Sequence, residues 1–460
     1  MLGGVTNTAD RASFGVLTQT FDPGLVDTVT AEGSAVWERR RDLPARLTLY
    51  LVLALWLWRS LSYKEVWRRL ADGCAFSGGA DGLTVPASGA PEASSITRAR
   101  TRLGSEPLAL LFTETAGPLA SPQTPRAWWR SLRLTAVDGT CLDVANTPAN
   151  RQAFGGPTDG AFPQIRLVAH CETGTRAIID AAFDAYGTSE KALTERTIAS
   201  FGRGMLAVFD SGFCSSDLFE QVTATGCEVI MRARAQFKLE PVAVLPDGSY
   251  TAHLKHGGPL VRVVEYTVYT TDPDTGAETV GAMIALVTSL LDPNLWPIED
   301  FPGLYASRWE SEILHNAVKT ELRGGATVRF RSGTPDLVGQ EAWALLLVYQ
   351  ALSDLIGRTA GPAGLDPDRI SFTTALNTAH RSVKQTGGPF PPEHLAALDR
   401  WALQEMLDDL LPERRSRTAP REVTRRSFRF PTRDRTTPAS TRADHRIHIW
   451  RLTPPPAETP

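Results

Sequence analysis

The chain has 460 residues, of which 42% are hydrophobic and 22% charged, a composition typical of a globular protein with two or three domains. Its net charge of −3 gives no general basic character, but arginines concentrate in the last fifty residues. The five cysteines are odd in number and never form a CxxC pair. They favour free thiols in a reducing cytoplasm over a disulfide framework or a zinc site.

The N-terminal quarter is predicted to be helical. One helix begins at Pro44 and runs to about Ser60. Its apolar stretch, Leu47–Trp58, is shorter than the roughly 20 residues that span a bilayer, so it predicts a buried helix. The N-terminus also has no basic segment followed by an apolar one, as a signal peptide would. We therefore expect no membrane association.

A basic helix is predicted after a segment at 72–93 that is rich in Gly, Ala and Pro and indicates a mobile loop. Ser94 or Ser95 would cap this helix. Cations and a helix N-terminus both favour anions, so the helix is a candidate for phosphate contact; a solvated basic face is an equally good interpretation. The arginines that it would display are Arg98, Arg100 and Arg102.

From Trp128 the pattern changes to strands. LRLTAVDG predicts a strand that ends at Asp138, and MLAVF predicts a short buried strand before Asp210. QIRLVAHCE and TRAIIDAAF predict a hairpin, and two helical stretches lie around the MLAVF strand. More strands, broken by the turns PDGS, HGGP and DPDTG, are predicted between 235 and 290. Such an alternation predicts an α/β fold with a mixed sheet flanked by helices.

The stretch Tyr305–Lys319 contains no Gly or Pro and predicts one helix. Five of its polar side chains recur at alternating steps of three and four, which places them within an arc of roughly 80°. They are Tyr305, Arg308, Glu312, His315 and Lys319. An apolar surface beside them would anchor the helix, and it comprises Trp309, Ile313, Leu314, Ala317 and Val318.

Three acids on these elements form a candidate metal site. Arg308 and Glu312 alone are also consistent with an ordinary i,i+4 ion pair on a solvated helix. Asp138 and Asp210, however, each follow a predicted strand, and three such carboxylates are the oxygen ligands that Mg²⁺ requires. Asp138 is preferred to Asp143 because it ends the strand and precedes a glycine, which lets a phosphate approach the backbone.

The order of three motifs resembles the DDE transposases of the insertion sequence 4 family. They are VDGT, then FDSGF, then Tyr, two residues, Arg, three residues, Glu, six residues and Lys. The resemblance runs from about Leu43 to Arg358. It implies an RNase H-like mixed sheet with a β-rich insertion and a helical N-terminal domain. It also implies a transposase that cuts an insertion sequence at its terminal inverted repeats and joins it to target DNA through a hairpin intermediate.

The resemblance assigns roles to particular residues. Asp138, Asp210 and Glu312 would be the catalytic acids and the ligands of Mg²⁺, with Mn²⁺ as an alternative. The residues that would bind DNA phosphates are Tyr305, Arg308 and Lys319, and the arginines that would contact transposon ends are Arg98, Arg100 and Arg102. The partners would be transposon-end DNA and target DNA. The chain would form a homodimer in the synaptic complex, and it would be located in the bacterial cytoplasm, at the nucleoid when bound to DNA.

Six segments are expected from these patterns. They are a helical end-binding region at 1–125, the first part of the catalytic core at 126–234, the β-strand insertion at 235–290, the second part of the core at 291–365, a helical region at 366–411 and a basic, disordered tail at 412–460. Two alternatives remain at this point. A metal-dependent nuclease would keep the three acids, and an inactive DNA-binding relative would usually have lost one.

Overall fold

The computed structural model describes residues 15–33, 43–74, 90–158, 160–234, 236–325, 328–385, 392–413, 417–418 and 441–453. Within them the α-helices are α1 Val16–Thr20, α2 Pro23–Gly33, α3 Ala45–Leu57, α4 Tyr63–Cys74, α5 Ala93–Leu103, α6 Glu106–Thr115, α7 Pro148–Phe154, α8 Glu190–Arg196, α9 Ser216–Ala224, α10 Phe301–Ala306, α11 Trp309–Asn316, α12 Pro335–Ala360, α13 Phe372–Gln385 and α14 Pro392–Asp408. The strands are β1 Trp128–Trp129, β2 Leu132–Asp143, β3 Gln164–Glu172, β4 Ile178–Ala185, β5 Met205–Phe209, β6 Glu228–Arg232, β7 Ala243–Val244, β8 Tyr250–His253, β9 Leu260–Thr271, β10 Glu278–Val280, β11 Ile284–Thr288, β12 Arg417–Thr418, β13 Thr441–Arg442 and β14 Asp444–Trp450.

The chain forms two compact units, a first unit of residues 1–205 and 308–411 and a second unit of residues 206–307 and 412–460. In the first unit the N-terminal helices share one apolar core with α12. The predicted buried helix is confirmed as α3, in which every side chain from 48 to 57 is buried. Trp56 of this helix donates from Nε1 to the carbonyl of Glu341 on α12 at 2.8 Å. No described helix has the length and apolarity needed to cross a membrane.

The strands of the first unit form an antiparallel sheet. β2 pairs with β3 from Thr135↔Glu172 to Asp143↔Gln164, and β3 pairs with β4, which confirms the predicted hairpin. α8 packs on this hairpin. It begins after Ser189, because the Ser189 hydroxyl accepts a hydrogen bond from the backbone N–H of Ala192 at 3.1 Å and caps the helix.

The second unit contains the predicted run of strands between 235 and 290. β5 pairs with β6 in parallel, and β6, β11, β9 and β8 follow as antiparallel neighbours. β9 is the longest of these strands and also pairs with β10 and β14. Parallel and antiparallel pairs therefore both occur, with helices in each unit, as an α/β fold with a mixed sheet requires.

Three local predictions are wrong. The cap of α5 is Glu92 rather than a serine, since Ser94 and Ser95 are already helical. The sequence GGATVRFRSGTP after Lys319 predicts a turn and a strand, but no strand is assigned to the described residues between the π-helix Ala317–Leu322 and α12. The tail is also not wholly disordered, because β14 pairs with β9 from Asp444↔Thr271 to Trp450↔Glu265. The predicted mobile loop at 72–93 and most of the tail arginines lie largely outside the described residues.

Candidate active site

The first predicted acid, Asp138, lies within β2 and not at its end. β2 continues to Asp143, and Asp138 pairs with Ala169 of β3. The predicted strand end is wrong because pairing with β3 holds the polar residues after Asp138 in the sheet. Its Oδ1 accepts a hydrogen bond from the N–H of Gly139 at 2.8 Å. A Cβ at Gly139 would meet Oε1 of Glu190 at 2.5 Å, so this glycine makes room for a glutamate of α8.

The glutamate helix has three parts, which are α10, α11 and the π-helical residues Ala317–Leu322. Ser307 and Arg308 join α10 to α11 and keep right-handed dihedral angles, with φ −61°, ψ −18° and φ −53°, ψ −29°. The predicted helical path is therefore confirmed, but not as one uninterrupted α-helix. The wider turn of a π-helix rotates Lys319 away from the position that α-helical spacing predicts.

Burial along this segment departs from the prediction at Trp309. Leu314, Ala317 and Val318 are buried as predicted, whereas Trp309 is 55% exposed. The guanidinium of Arg308 lies over its indole, 5.6 Å from the ring centroid. Trp309 therefore lies at the surface, where its ring contacts the buried Arg308, and it does not belong to the apolar surface that was predicted to anchor the helix.

One guanidinium contacts two of the predicted catalytic acids. Arg308 is buried, and its Nη2 lies 2.7 Å from Oε1 of Glu312 while its Nη1 lies 3.9 Å from Oδ2 of Asp138. The Glu312 side chain is still 38% exposed. Like-charged carboxylates repel each other, and a cation beside both offsets that repulsion. The structure thus brings Asp138, Arg308 and Glu312 together, although they come from distant parts of the sequence.

His315 and Lys319 both lie near Asp138. Burial, and then the nearby ammonium of Lys319, lowers the pKa of His315 to about 4, while the backbone of Asp138 acts in the opposite direction. His315 is therefore a neutral imidazole at neutral pH. Burial also lowers the pKa of Lys319, as does Arg323, while Cys141 and Asp138 raise it. Lys319 thus shares the surroundings of Asp138.

The second predicted acid, Asp210, directly follows β5, as predicted. Its Oδ1 accepts hydrogen bonds from the N–H of Ser211 at 2.6 Å and from the Tyr305 hydroxyl at 3.3 Å. Tyr305 is buried on α10. The tyrosine that was predicted to bind a phosphate therefore donates to a predicted catalytic carboxylate within the second unit.

Arg234 holds the turn after Asp210. Its Nε donates to the carbonyl of Ser211 at 2.8 Å, and its Nη2 donates to that of Gly212 at 2.5 Å. No role for Arg234 was predicted from the sequence. The available signal was a cation just beyond β6, because parallel neighbours such as β5 and β6 end at the same edge of a sheet.

The three arginines predicted to contact transposon ends differ in exposure. Arg98 is exposed and Arg102 is half-buried. Arg100 is 1% exposed, so its prediction as a DNA contact is wrong. Helical spacing explains the error, because Arg100 lies one residue from buried Ala99 and shares its face with buried Ile96 and Leu103.

Arg100 is instead the centre of a buried polar network. Its Nε donates to Oε1 of Gln340 at 2.8 Å, its Nη1 to the Tyr63 hydroxyl at 2.6 Å and its Nη2 to Oγ of Ser332 at 3.0 Å. Nη2 also lies 3.7 Å from Oε1 of Glu341. These contacts join α5 and α4 to α12 within the first unit.

The polar groups around Arg308 include two carboxylates that could hold a divalent metal. Among the described residues, no three His, Cys, Asp or Glu side chains form a ready-made metal-binding group. Mg²⁺ is commonly held by one or two carboxylates together with water and substrate phosphates. The carboxylates of Asp138 and Glu312, the second of them partly exposed, are donors of the required type.

Two known families match the chain. The family described as Insertion element 4 transposase N-terminal matches residues 11–113, and Transposase DDE domain matches residues 129–350. Together the two matches cover most of the chain. The second match contains Asp138, Asp210 and Glu312.

Individual relatives agree with these families. Transposase InsG for insertion sequence element IS4 of Escherichia coli (strain K12) is 28% identical over 440 residues, which are 89% of this chain and 92% of that protein. InsZ of the same organism is 29% identical over 197 residues, which are 41% of this chain and 60% of that protein. A cryo-EM structure of the piggyBac transposase synaptic complex with hairpin DNA aligns with a TM-score of 0.46 and 10% identity over 85% of this chain and 86% of that chain, a score too low to carry an argument.

The family assignment decides several predictions. The RNase H-like α/β fold is confirmed by the DDE domain match over the strands and helices described above. Use of a divalent metal follows from the same domain. The chain is a DNA transposase, and neither a metal-dependent nuclease nor an inactive DNA-binding relative on the same fold is favoured. The chain belongs to the insertion sequence 4 family of DDE transposases.

Proposed function

We propose that this transposase cuts an insertion sequence at its terminal inverted repeats and joins it to target DNA, with Asp138, Asp210 and Glu312 as the catalytic carboxylates. The observation that carries the proposal is the contact of Arg308 with both Asp138 and Glu312. A phosphate could bind the guanidinium that lies between these two partly exposed acids, and divalent metals could bind the carboxylates. The order and spacing of the three motifs support the inclusion of Asp210.

Divalent metal ions, Mg²⁺ or Mn²⁺, would supply an activated water or 3′-hydroxyl nucleophile and would offset the charge on the leaving oxygen. The carboxylates of Asp138, Asp210 and Glu312 would hold them. The backbone N–H of Ser211 and the hydroxyl of Tyr305 both donate to Oδ1 of Asp210, and these two hydrogen bonds fix the orientation of its carboxylate. This fixed orientation reduces the rearrangement that metal binding requires.

Arg308 and Lys319 would bind the phosphates that flank the cut. A guanidinium can donate two parallel hydrogen bonds to a phosphate, whereas an ammonium acts as a point charge. Arg308 is held by Glu312 at 2.7 Å. A phosphate that draws it away therefore releases an Oε1 lone pair of Glu312, which couples arrival of DNA to the availability of the acid.

The N-terminal region and the basic tail would contact DNA. Residues 1–125 would grip the inverted repeats, with Arg98 and Arg102 as phosphate contacts, and two copies of the chain would hold two transposon ends as a homodimer. The basic tail would add sequence-independent attraction for DNA. The reaction would then take place at the nucleoid in the bacterial cytoplasm.

The test is cleavage of a labelled duplex that carries the inverted repeat flanking the gene, in the presence of Mg²⁺. Glu312→Gln and Asp138→Asn should bind this duplex and fail to cut it. Asp143→Asn is the matched control on the same strand, because the Asp143 carboxylate accepts a hydrogen bond from Gln164 at 2.6 Å and acts on Lys319 and Arg323 only as a nearby charge. Cleavage that persists in Glu312→Gln, or is lost equally in Asp143→Asn, would disprove the assignment of the acids.

A further inference from the structure

A group of five charged side chains lies behind the glutamate helix, and we call it the Glu310 cluster. Its members are Glu310 of α11, Arg126 before β1, Arg176 in the turn between β3 and β4, and Asp366 and Asp368 after α12. Oε1 of Glu310 lies 3.3 Å from Nη1 of Arg126, and Oε2 accepts from Nε of Arg176 at 2.8 Å. Glu310 is only 6% exposed.

The two arginines are held from their far side by the two aspartates. Arg126 donates from Nε and Nη2 to the carboxylate of Asp366 at 2.9 and 2.8 Å. Both arginines also pair with Asp368, which is itself 5% exposed. The cluster therefore ties α11 to the segment that follows α12.

The backbone of both arginines is unusual. Arg126 has φ 60° and Arg176 has φ 58°, in the left-handed region that L-residues avoid. Such a conformation costs roughly 1–2 kcal/mol per residue and persists only where the surroundings determine it. Here the carbonyl of Arg126 accepts from Oγ1 of Thr173 at 2.8 Å, and that of Arg176 accepts from the Tyr349 hydroxyl at 3.1 Å. The fold thus maintains two strained residues that present guanidinium groups to Glu310.

Glu310 and Glu312 lie on opposite faces of α11. Two residues correspond to about 200° of rotation in an α-helix. α11 has only eight residues and continues into a π-helix, so its own hydrogen bonds do not determine its rotation about its axis. A rotation of about 20° would move a carboxylate at the helix surface by ~2 Å. Displacements of that size at a catalytic group are costly.

We propose that Glu310 is a positioning residue, which through Arg126 and Arg176 sets the rotation of α11 and so aims Glu312 at the reacting phosphate. The inference rests on the proposed function in one respect, namely that Glu312 is a catalytic acid. Glu310 itself touches no substrate in this scheme. It acts from the buried face of the helix.

The main test compares Glu310→Gln with wild type. The amide keeps the size of the side chain but loses the charge that holds both arginines. The single-turnover cleavage rate at saturating DNA should fall about 10- to 100-fold, and DNA affinity should stay within about twofold of wild type. The Mg²⁺ concentration for half-maximal rate should rise, and hydrogen exchange in residues 309–316 should become faster without DNA or metal.

Asp354→Asn is the matched control. Asp354 forms an i,i+4 pair with Arg358 on α12, at 2.9 Å, and belongs to the same unit but not to the Glu310 cluster. This variant should keep the wild-type rate, Mg²⁺ dependence and exchange in α11. If it lost activity as Glu310→Gln does, general destabilisation would explain both results and the proposal would be overturned.

A milder variant, Arg176→Lys, decides the case if Glu310→Gln does not fold. It keeps the charge but loses the forked contact, so it should show the same changes to a smaller degree. Wild-type rate and wild-type exchange in α11 for the folded variant would overturn the proposal. Glu312→Gln separates this outcome from failure of the proposed function: if that variant still cuts DNA, the catalytic assignment is wrong, whatever the Glu310 cluster does.

Discussion

Replacing Arg100 with methionine removes a cation whose side chain is 1% exposed. Breaking a buried charged network by deleting one partner typically costs about 3–5 kcal/mol. Gln340 would keep its bonds to the carbonyls of Arg100 and Gly104, and Glu341 would keep its bond from Ser332. The lower end, about 3 kcal/mol, is therefore expected.

Hydrogen exchange measures this loss locally, which is preferable because a chain of two units need not unfold in one step. A loss of about 3 kcal/mol corresponds to exchange in α5 that is faster by roughly two orders of magnitude, where local opening controls exchange. Arg98→Met is the matched control, since Arg98 is exposed on the same helix. Its exchange should match wild type, while the salt dependence of DNA binding should weaken by about one phosphate contact.

One result for Arg100→Met would contradict the buried role of Arg100. If Arg100→Met kept wild-type exchange and lost DNA affinity with a lower salt slope, Arg100 would be a DNA contact and the buried network would contribute little. Loss of DNA affinity together with faster exchange would instead show that the fold of α5 is needed to present Arg98 and Arg102.

Further substitutions test single contacts. Tyr305→Phe removes the hydroxyl that donates to Asp210; it should slow single-turnover cleavage about tenfold at unchanged DNA affinity, and an unchanged rate would show that the bond is dispensable. Arg308→Lys keeps the charge but not the forked contact, so cleavage should fall roughly 100-fold, while full activity would mean that charge alone suffices. Burial lowers the pKa of His170 to about 3, so the unfolded state binds the extra proton between pH 6.5 and 3 and stability falls as pH falls in that window. His170→Phe should flatten the dependence of the free energy of unfolding on pH, measured by urea titration, by up to ~1.4 kcal/mol per pH unit, and an unchanged slope would assign the dependence to other groups.

Local patterns predicted the elements that composition and turn residues mark without help from distant residues. The run of β-branched and aromatic residues in β9 and the apolar run of α3 each identified an element in this way. The order of the acids was likewise visible, because Asp210 directly follows a short buried strand.

The errors arose where a partner distant in sequence decides the outcome. Pairing with β3 extends β2 beyond Asp138, and no residue near Asp138 signals this pairing. Arg100 is buried because Gln340 and Ser332 satisfy it. The Glu310 cluster joins residues from four separate segments, so spacing around Glu312 could not reveal it. In β14 the alternation of DHRIHIW was present in the sequence but was outweighed by the arginine-rich composition of the tail.

β14 protects the edge of a strand in the second unit. It covers the edge of β9 from Glu265 to Thr271, and β12 pairs with β13. A premature stop codon before Asp444 would therefore uncover a row of unpaired backbone N–H and C=O groups as well as remove β14. Exposed strand edges recruit other chains, so such truncated transposases should aggregate. Tail-deletion variants made to study DNA affinity would then report loss of solubility unless β14 is retained.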